Sequence, residues 1–289
     1  MLIQLFPVSL EGVKPLKSLC KSKKMRKIFF LSVLFILSLN FLMAQTPLVN
    51  HPTLNYDGTK IAFNYQGDIW TANVNGSNIK RLTIHEGYDT KPLWSKDGKS
   101  LVFQSNRFGN YDIFSIPANG GVSKRLTYHS ASDLLTDYSA DGEILFNTSR
   151  NFKQVEWEPE IQTMNIKGGT PYLKMDAFGY DAVLSPDKKF VAFVKGPCRI
   201  QRENYYGSAN KDIWLYDIAN DKYHQLTTFS GNDFCPKWAD NNTIYYQSSK
   251  SGKYNVHRLK IFAKGLKSGN DDQITSFTDM GIFSFDISK

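Results

Sequence analysis

One unit recurs along this chain, and that repetition restricts the fold more than any other feature. Residues 51–83, HPTLNYDGTKIAFNYQGDIWTANVNGSNIKRLT, align with residues 91–127, KPLWSKDGKSLVFQSNRFGNYDIFSIPANGGVSKRLT. Four anchors return in the same order. A turn centred on aspartate comes first, at Asp57, Asp97, Asp141, Asp187 and Asp240. An apolar run ending in an aromatic follows, at Phe63, Phe103, Phe146, Phe193 and Tyr246. An acidic or amide residue then opens another run, at Asp68, Asp112, Glu160, Asp212 and Asn255. Each unit closes on RLT or a relative, at Leu82, Leu126, Leu173, Leu226 and Ile274.

Between the anchors lie short β-rich runs such as SLVFQS, FVAFV and TIYYQ. Asp-Gly, Asn-Gly and Gly-Gly punctuate them, where tight turns need positive φ. No stretch after residue 45 sustains a 3.6-residue apolar period, so helices are not expected there. Four strands per unit is the content of a β-propeller blade. The expected fold is therefore all-β: a β-propeller with four-stranded blades at about 51–91, 92–135, 136–182, 183–235 and 236–283. Trp70, Trp94, Trp214 and Trp238 sit on anchor strands and are read as wedge-filling core. In the same register SFDISK (284–289) overlays KPLWSK (91–96), which makes it the first strand of a sixth blade. The expectation is thus a truncated six-bladed ring.

The formal charge of +8 raises the question of a nucleic-acid partner, but its distribution argues against one. Residues 1–44 hold Lys14, Lys17, Lys21, Lys23, Lys24, Arg26 and Lys27 against Glu11, leaving 28 cations and 26 acids in the rest. Met25-Arg26-Lys27, the apolar run IFFLSVLFILSLNFLM (28–43) and Ala44 follow the order of a secretory signal peptide. Residues 25–44 are accordingly expected to export the chain to the periplasm or outside the cell, with cleavage near Ala44. The membrane is met only through that segment. Residues 1–24 read as an N-terminal extension or a mis-set start. Cys198 and Cys235 remain in the mature chain, and their pairing is open.

Binding is expected on the face where loop length varies, because variable loops on a rigid scaffold carry recognition. The span from strand aromatic to strand opener grows from Phe63–Asp68 to Phe193–Asp212. The longest, KGPCRIQRENYYGSANK (195–211), offers Arg199, Arg202, Tyr205 and Tyr206. Arg107, Arg150 and Lys250 share one repeat position and form a possible rim of cations. The competing role for that position is an ion pair within the blade, such as Arg107 with Asp112. His85 and His129 also share a position, but no tight ligand spacing accompanies them, and neither metal nor cofactor is expected. No nucleophile-and-base arrangement can be assembled, so no catalytic residue is assigned.

These motifs resemble the repeats of TolB and tricorn-type propellers. The finer resemblance is to the N-terminal propeller of secreted bacterial tricorn-type serine peptidases. Residues 61–114, 210–238 and 251–261 carry it. The resemblance implies a non-catalytic scaffold through which peptides pass, with catalytic groups in later domains of the parent chain. Implied partners are peptides or a protein partner, and those downstream domains. The alternative is a stand-alone TolB-like periplasmic propeller that binds a protein partner.

Overall fold

The computed structural model describes residues 49–151, 158–261 and 268–287. The N-terminal extension and the leader read at 1–44 lie outside the described residues, as do 288–289. The described chain contains no helix. It forms five antiparallel four-stranded meanders, each ordered by sequence. Blade I comprises β1 (Asn50–Leu54), β2 (Lys60–Tyr65), β3 (Asp68–Asn73) and β4 (Lys80–Arg81). Blade II comprises β5 (Asp89–Trp94), β6 (Ser100–Ser105), β7 (Asp112–Pro117) and β8 (Lys124–Arg125). Blade III comprises β9 (Leu134–Tyr138), β10 (Glu143–Thr148), β11 (Glu160–Asn165) and β12 (Tyr172–Phe178). Blade IV comprises β13 (Tyr180–Leu184), β14 (Phe190–Lys195), β15 (Asp212–Asp217) and β16 (Lys222–Gln225). Blade V comprises β17 (Asp233–Asp240), β18 (Thr243–Ser248), β19 (Asn255–Ile261) and β20 (Ser268–Gln273). The first strands β1, β5, β9, β13 and β17 pack beside one another in turn, as the inner strands of a propeller must.

The recurring residues have local physical causes. In the first turn of four repeats the aspartate accepts the backbone N–H two residues on, as Asp97 does from Lys99 at 3.0 Å, while Asp141 accepts the Ser139 hydroxyl. In blades I to IV the residue after the aspartate takes positive φ. It is glycine at Gly58, Gly98 and Gly142, and Lys188 holds the same conformation in blade IV. The closing threonine acts across the sheet: Thr83 Oγ1 accepts the Ile69 N–H at 2.9 Å, and Thr127 and Thr227 repeat this on Ile113 and Ile213. The leucine before it is buried in each case.

The core lies between blades. One cluster joins Val183, Ile213 and Leu226 of blade IV to Trp238, Ile244 and Tyr246 of blade V. The strand aromatics Phe103, Phe146, Phe193 and Tyr246 each face the preceding blade and are fully buried. Phe63 of blade I is only half-buried. Polar bonds tie the inner strands together as well. Trp94 Nε1 donates to Thr53 O and Trp238 Nε1 to Val183 O, both at 3.2 Å. Asp137 Oδ2 accepts the Leu184 N–H of the next blade at 2.8 Å.

The inner strands begin before the repeat register placed them: β5 starts at Asp89, not 92, and β17 at Asp233, not 236. The reason is a β-bulge. Pairing slips between Thr90 and Leu93 and at matching points in the other inner strands. The residue after the last regular pair is left-handed at His51, Lys91, Asp181 and Cys235, with φ near 50°. Pro follows three of these, which makes the strand look broken in sequence. Cys235 therefore lies inside β17, and both it and Cys198 are free thiols.

Replacing Trp238 with alanine removes a wedge residue that is 2% exposed and an interblade bond. The expected cost is about 3–5 kcal/mol in urea unfolding; a loss well under 1 kcal/mol would show that the blade IV–V wedge is not cooperative.

Candidate functional site

Two regions compete for function: the face carrying the long loops, and the passage enclosed by the inner strands. On the first, repeated charges are consumed in pairs. Arg107 bonds Asp89 at 2.7 Å and Arg150 bonds Asp133 at 2.5 Å, with both carboxylates fully buried. Arg125 bonds Asp112 at 2.7 Å, and Arg81 bonds Asp68. The partner of Arg107 is thus Asp89 rather than Asp112. Ser105 stands opposite both aspartates in the sheet, so register alone allows either. Arg125 decides the matter by occupying Asp112 from the outer strand. His85 and His129 also work locally: their Nδ1 atoms accept the backbone N–H of Gly87 and Ala131 at 2.8 and 3.0 Å.

Blade V breaks the pattern. Lys250 replaces arginine and turns to Asp271 and to the Tyr246 hydroxyl, 3.1 Å away. Asp233, the counterpart of Asp89 and Asp133, is fully buried, and neither of its carboxylate oxygens has a hydrogen-bond partner among the described residues. Burial pushes its carboxyl up to about 6; nearby Ser248, Lys250 and Thr227 oppose this, and Asp212 adds to it.

The long loop of blade IV folds onto blade V. Lys211 Nζ donates to Gly196 O at 2.9 Å and lies 4.0 Å from the centre of the Tyr180 ring, closing the loop at its base. Burial lowers the Lys211 ammonium. Gly196, at φ 113°, allows this closure: a Cβ there would meet Asn210 O at 1.8 Å. Asn232 Nδ2 holds Arg202 O at 3.1 Å, and Lys253 pairs with Glu203 at 3.0 Å. Arg202 stacks over Tyr205 at 4.4 Å, while Tyr206 meets Phe229 edge-on at 6.0 Å. Arg199 and Tyr206 are exposed. The structure therefore brings Arg202 and Tyr205 together. Arg107 and Arg150 stand apart from them, in the ion pairs of blades II and III.

The passage was not singled out by residue in the sequence. Three cavities of about 280, 70 and 310 Å³ share lining residues in series along the inner strands. The first is lined by the left-handed residues His51, Lys91, Asp181 and Cys235, and by Ile200 from the long loop. Burial, then Lys91 and Lys237, push the His51 imidazole down to about 4 against the pull of Asp181. Burial pushes the Cys235 thiol up to about 11. Burial works against the Lys237 ammonium, but Asp286, Cys235 and Asp137 outweigh it and hold that group above its ordinary value. The recurrent x-Pro before the tryptophan or its counterpart (His51-Pro52, Lys91-Pro92, Cys235-Pro236) was the available signal.

The segment 282–287 runs along blades V and I without an assigned strand. Ile282 N–H donates to Tyr254 O at 2.8 Å, and Phe283 meets the Tyr254 ring edge-on at 5.8 Å. Asp286 Oδ2 accepts the Leu54 N–H at 2.8 Å and the Thr53 hydroxyl at 3.1 Å, while its Oδ1 faces Lys237 at 3.5 Å.

Four-stranded meanders packed around an inner passage, with the repeat of aspartate turn, strand opener and closing threonine, define a repeat β-propeller. Residues 46–289 match the family model of the Tricorn protease N-terminal beta propeller domain, and the chain belongs to that family. The tricorn protease of Thermoplasma volcanium is 33% identical over 72 residues, 25% of this chain and 7% of that protein. The crystal structure of the tricorn protease overlays with a TM-score of 0.69 at 15% identity, covering 81% of this chain and 23% of that one. TolB from Acinetobacter baumannii gives 0.59 at 19%, covering 81% of this chain and 55% of the other. The chain thus spans a small part of the tricorn protease it matches.

Asp233 makes stability depend on pH. Its folded-state carboxyl lies above its unfolded value, so the stability it contributes is complete below about pH 4 and is lost as pH rises toward and through 6. Asp233→Asn is therefore expected to gain on the wild type by roughly 3 kcal/mol between pH 4 and pH 7. Urea unfolding at the two pH values measures this, and a pH-independent difference would contradict it.

Proposed function

We propose that this chain is the non-catalytic, peptide-conducting propeller of an exported tricorn-like serine peptidase, with hydrolysis performed elsewhere in the parent. The observation that carries this reading is the family match across 46–289. The series of cavities along the inner strands is consistent with passage of an extended chain. Export rests on the leader at 25–44.

The same reading gives the ring a sixth blade, whose inner strand begins within 284–289, of which 284–287 are described. Three observations support it. Asp286 aligns with Asp137, and each accepts the N–H of an equivalent residue in the following inner strand, Leu54 or Leu184. Phe63 occupies the position that faces the preceding blade, and it is half-buried where its counterparts are fully covered. Phe285 and Ser284 line the same cavity as the established inner strands.

Reading the gene beyond Lys289 tests the proposal. Continuation into further blades and a peptidase core is expected. A stop soon after one more blade would replace this reading with a stand-alone TolB-like propeller. Sequencing the mature N-terminus checks export: it is expected at Gln45, and a mature chain retaining 25–44 would contradict cleavage.

A further inference from the structure

Where one blade passes to the next, the strand opener meets the aspartate at the head of the following inner strand. The N–H groups of Asp89, Asp133 and Asp233 donate to the carbonyls just before Asp68, Asp112 and Asp212, at 2.8, 2.7 and 2.7 Å. Each of these junctions therefore holds two neighbouring carboxylates. At the I–II junction Arg81 pairs with Asp68 and Arg107 with Asp89. At the II–III junction Arg125 pairs with Asp112 and Arg150 with Asp133. At the III–IV junction Gly179 takes the place of the second aspartate, its N–H on Pro159 O at 3.0 Å, and only the opener Glu160 remains. The second carboxylate is thus dispensable, and where it is kept it is met by a guanidinium.

The IV–V junction keeps both carboxylates and neither arginine. Gln225 stands where Arg81 and Arg125 stand, and gives Asp212 a neutral donor at 3.2 Å. The other donors to Asp212, Asn210 Nδ2 at 3.1 Å and Thr227 Oγ1 at 3.4 Å, are neutral too. Lys250 stands where Arg107 and Arg150 stand, but its ion pair is with Asp271. Asp233 is fully buried with both oxygens unpartnered among the described residues, and Thr227 and Asp212 are among the groups around it. Buried carboxylates are ordinarily paired, so this one asks for a cation. Asp212 is half-buried, which opens the junction on that side. Beside it, Asn210 Nδ2 also holds Phe229 O at 2.9 Å, and Phe229 meets the exposed Tyr206 edge-on at 6.0 Å. The fold already places a guanidinium among aromatics at the II–III junction, where Arg125 lies 4.4 and 4.7 Å from the Phe108 and Tyr128 rings.

We propose that the blade IV–V junction binds a guanidinium supplied from outside the chain, held by Asp212 and Asp233 beside Phe229 and Tyr206. The ligand is the arginine side chain of another polypeptide or a free guanidinium compound. Its planar fork donates to two acceptors at once, which the compact ammonium of lysine does not match. The site lies on the face of the long loops, away from the passage, and does not depend on conduction of peptides.

Calorimetric titration of the purified chain at neutral pH with acetylarginine amide, methylguanidinium and acetyllysine amide tests this. Acetylarginine amide is expected to bind about tenfold or more tightly than acetyllysine amide, the difference made by one charged hydrogen bond. Gln225→Arg restores the residue of blades I and II. It is expected to fill the site with its own guanidinium, abolish binding and raise resistance to urea. Asp212→Asn is expected to weaken acetylarginine amide about tenfold while the chain stays folded. Tighter binding of acetylarginine amide than of methylguanidinium supports an arginine of another polypeptide, and the reverse supports a free guanidinium compound; both uphold the site. Equal binding of the arginine and lysine compounds would overturn guanidinium recognition. Undiminished binding by folded Gln225→Arg, or no binding of either guanidinium compound by the unaltered chain, would overturn the proposal.

Discussion

The fold depends on what holds one inner strand against the next. A four-stranded meander cannot bury both its faces by itself, so each blade needs a neighbour on either side. Apolar wedges supply most of the contact, but they are non-directional and do not set the spacing of the blades. The interblade hydrogen bonds do. Trp94 reaches Thr53, Trp238 reaches Val183, and Asp137 reaches the Leu184 amide. Each satisfies a backbone group on the free edge of an inner strand, which has a sheet partner on one side only. The bulges in turn create the left-handed positions whose side chains line the passage. Blade packing and the lining of the passage therefore both depend on the inner strands, the first through their free edges and the second through their bulges.

Within a blade, the strand opener and the closing triplet form a second device. Asp68 lies fifteen residues before Thr83, yet its carboxylate receives the threonine hydroxyl while Arg81 covers its other side. The unit survives change. Blade IV keeps the threonine and puts Gln225 where arginine stood, at 3.2 Å from Asp212. Blade V keeps Asp233 but loses its arginine, and an unpaired carboxylate results. A shared architecture thus leaves individual blades free to differ in charge, and the difference at blade V makes stability respond to pH.

Much of this was legible in the sequence because its causes are local. An aspartate that caps a turn, a glycine at positive φ and a leucine that enters the wedge each leave a mark at a fixed offset. The strand number and most of the anchors and wedge aromatics followed from those marks, although Trp70 and Trp214 are only half-buried and Leu173 and Ile274 are exposed. What escaped depends on register between strands. Arg107 is equally placed for Asp89 and Asp112 until Arg125 takes one of them. Lys91-Pro92 looks like the approach to a strand, although Lys91 is the bulged residue inside it. The long loop advertised Arg202, Tyr205 and Tyr206, while its contribution to the cavity, the half-buried Ile200, is an ordinary aliphatic in the sequence. The passage residues come from all five blades and share no contiguous motif, so only the packing of the blades brings them together.

The functional account turns on whether the inner segment around Asp286 completes the enclosure against blade I. Amide hydrogen exchange at Leu54 is the most direct measurement, with Leu184, held by Asp137, as the internal reference. The account predicts that both amides are protected, and that Asp286→Ala releases Leu54 while leaving Leu184 unchanged. Rapid exchange at Leu54 in the unaltered chain, beside a protected Leu184, would contradict it.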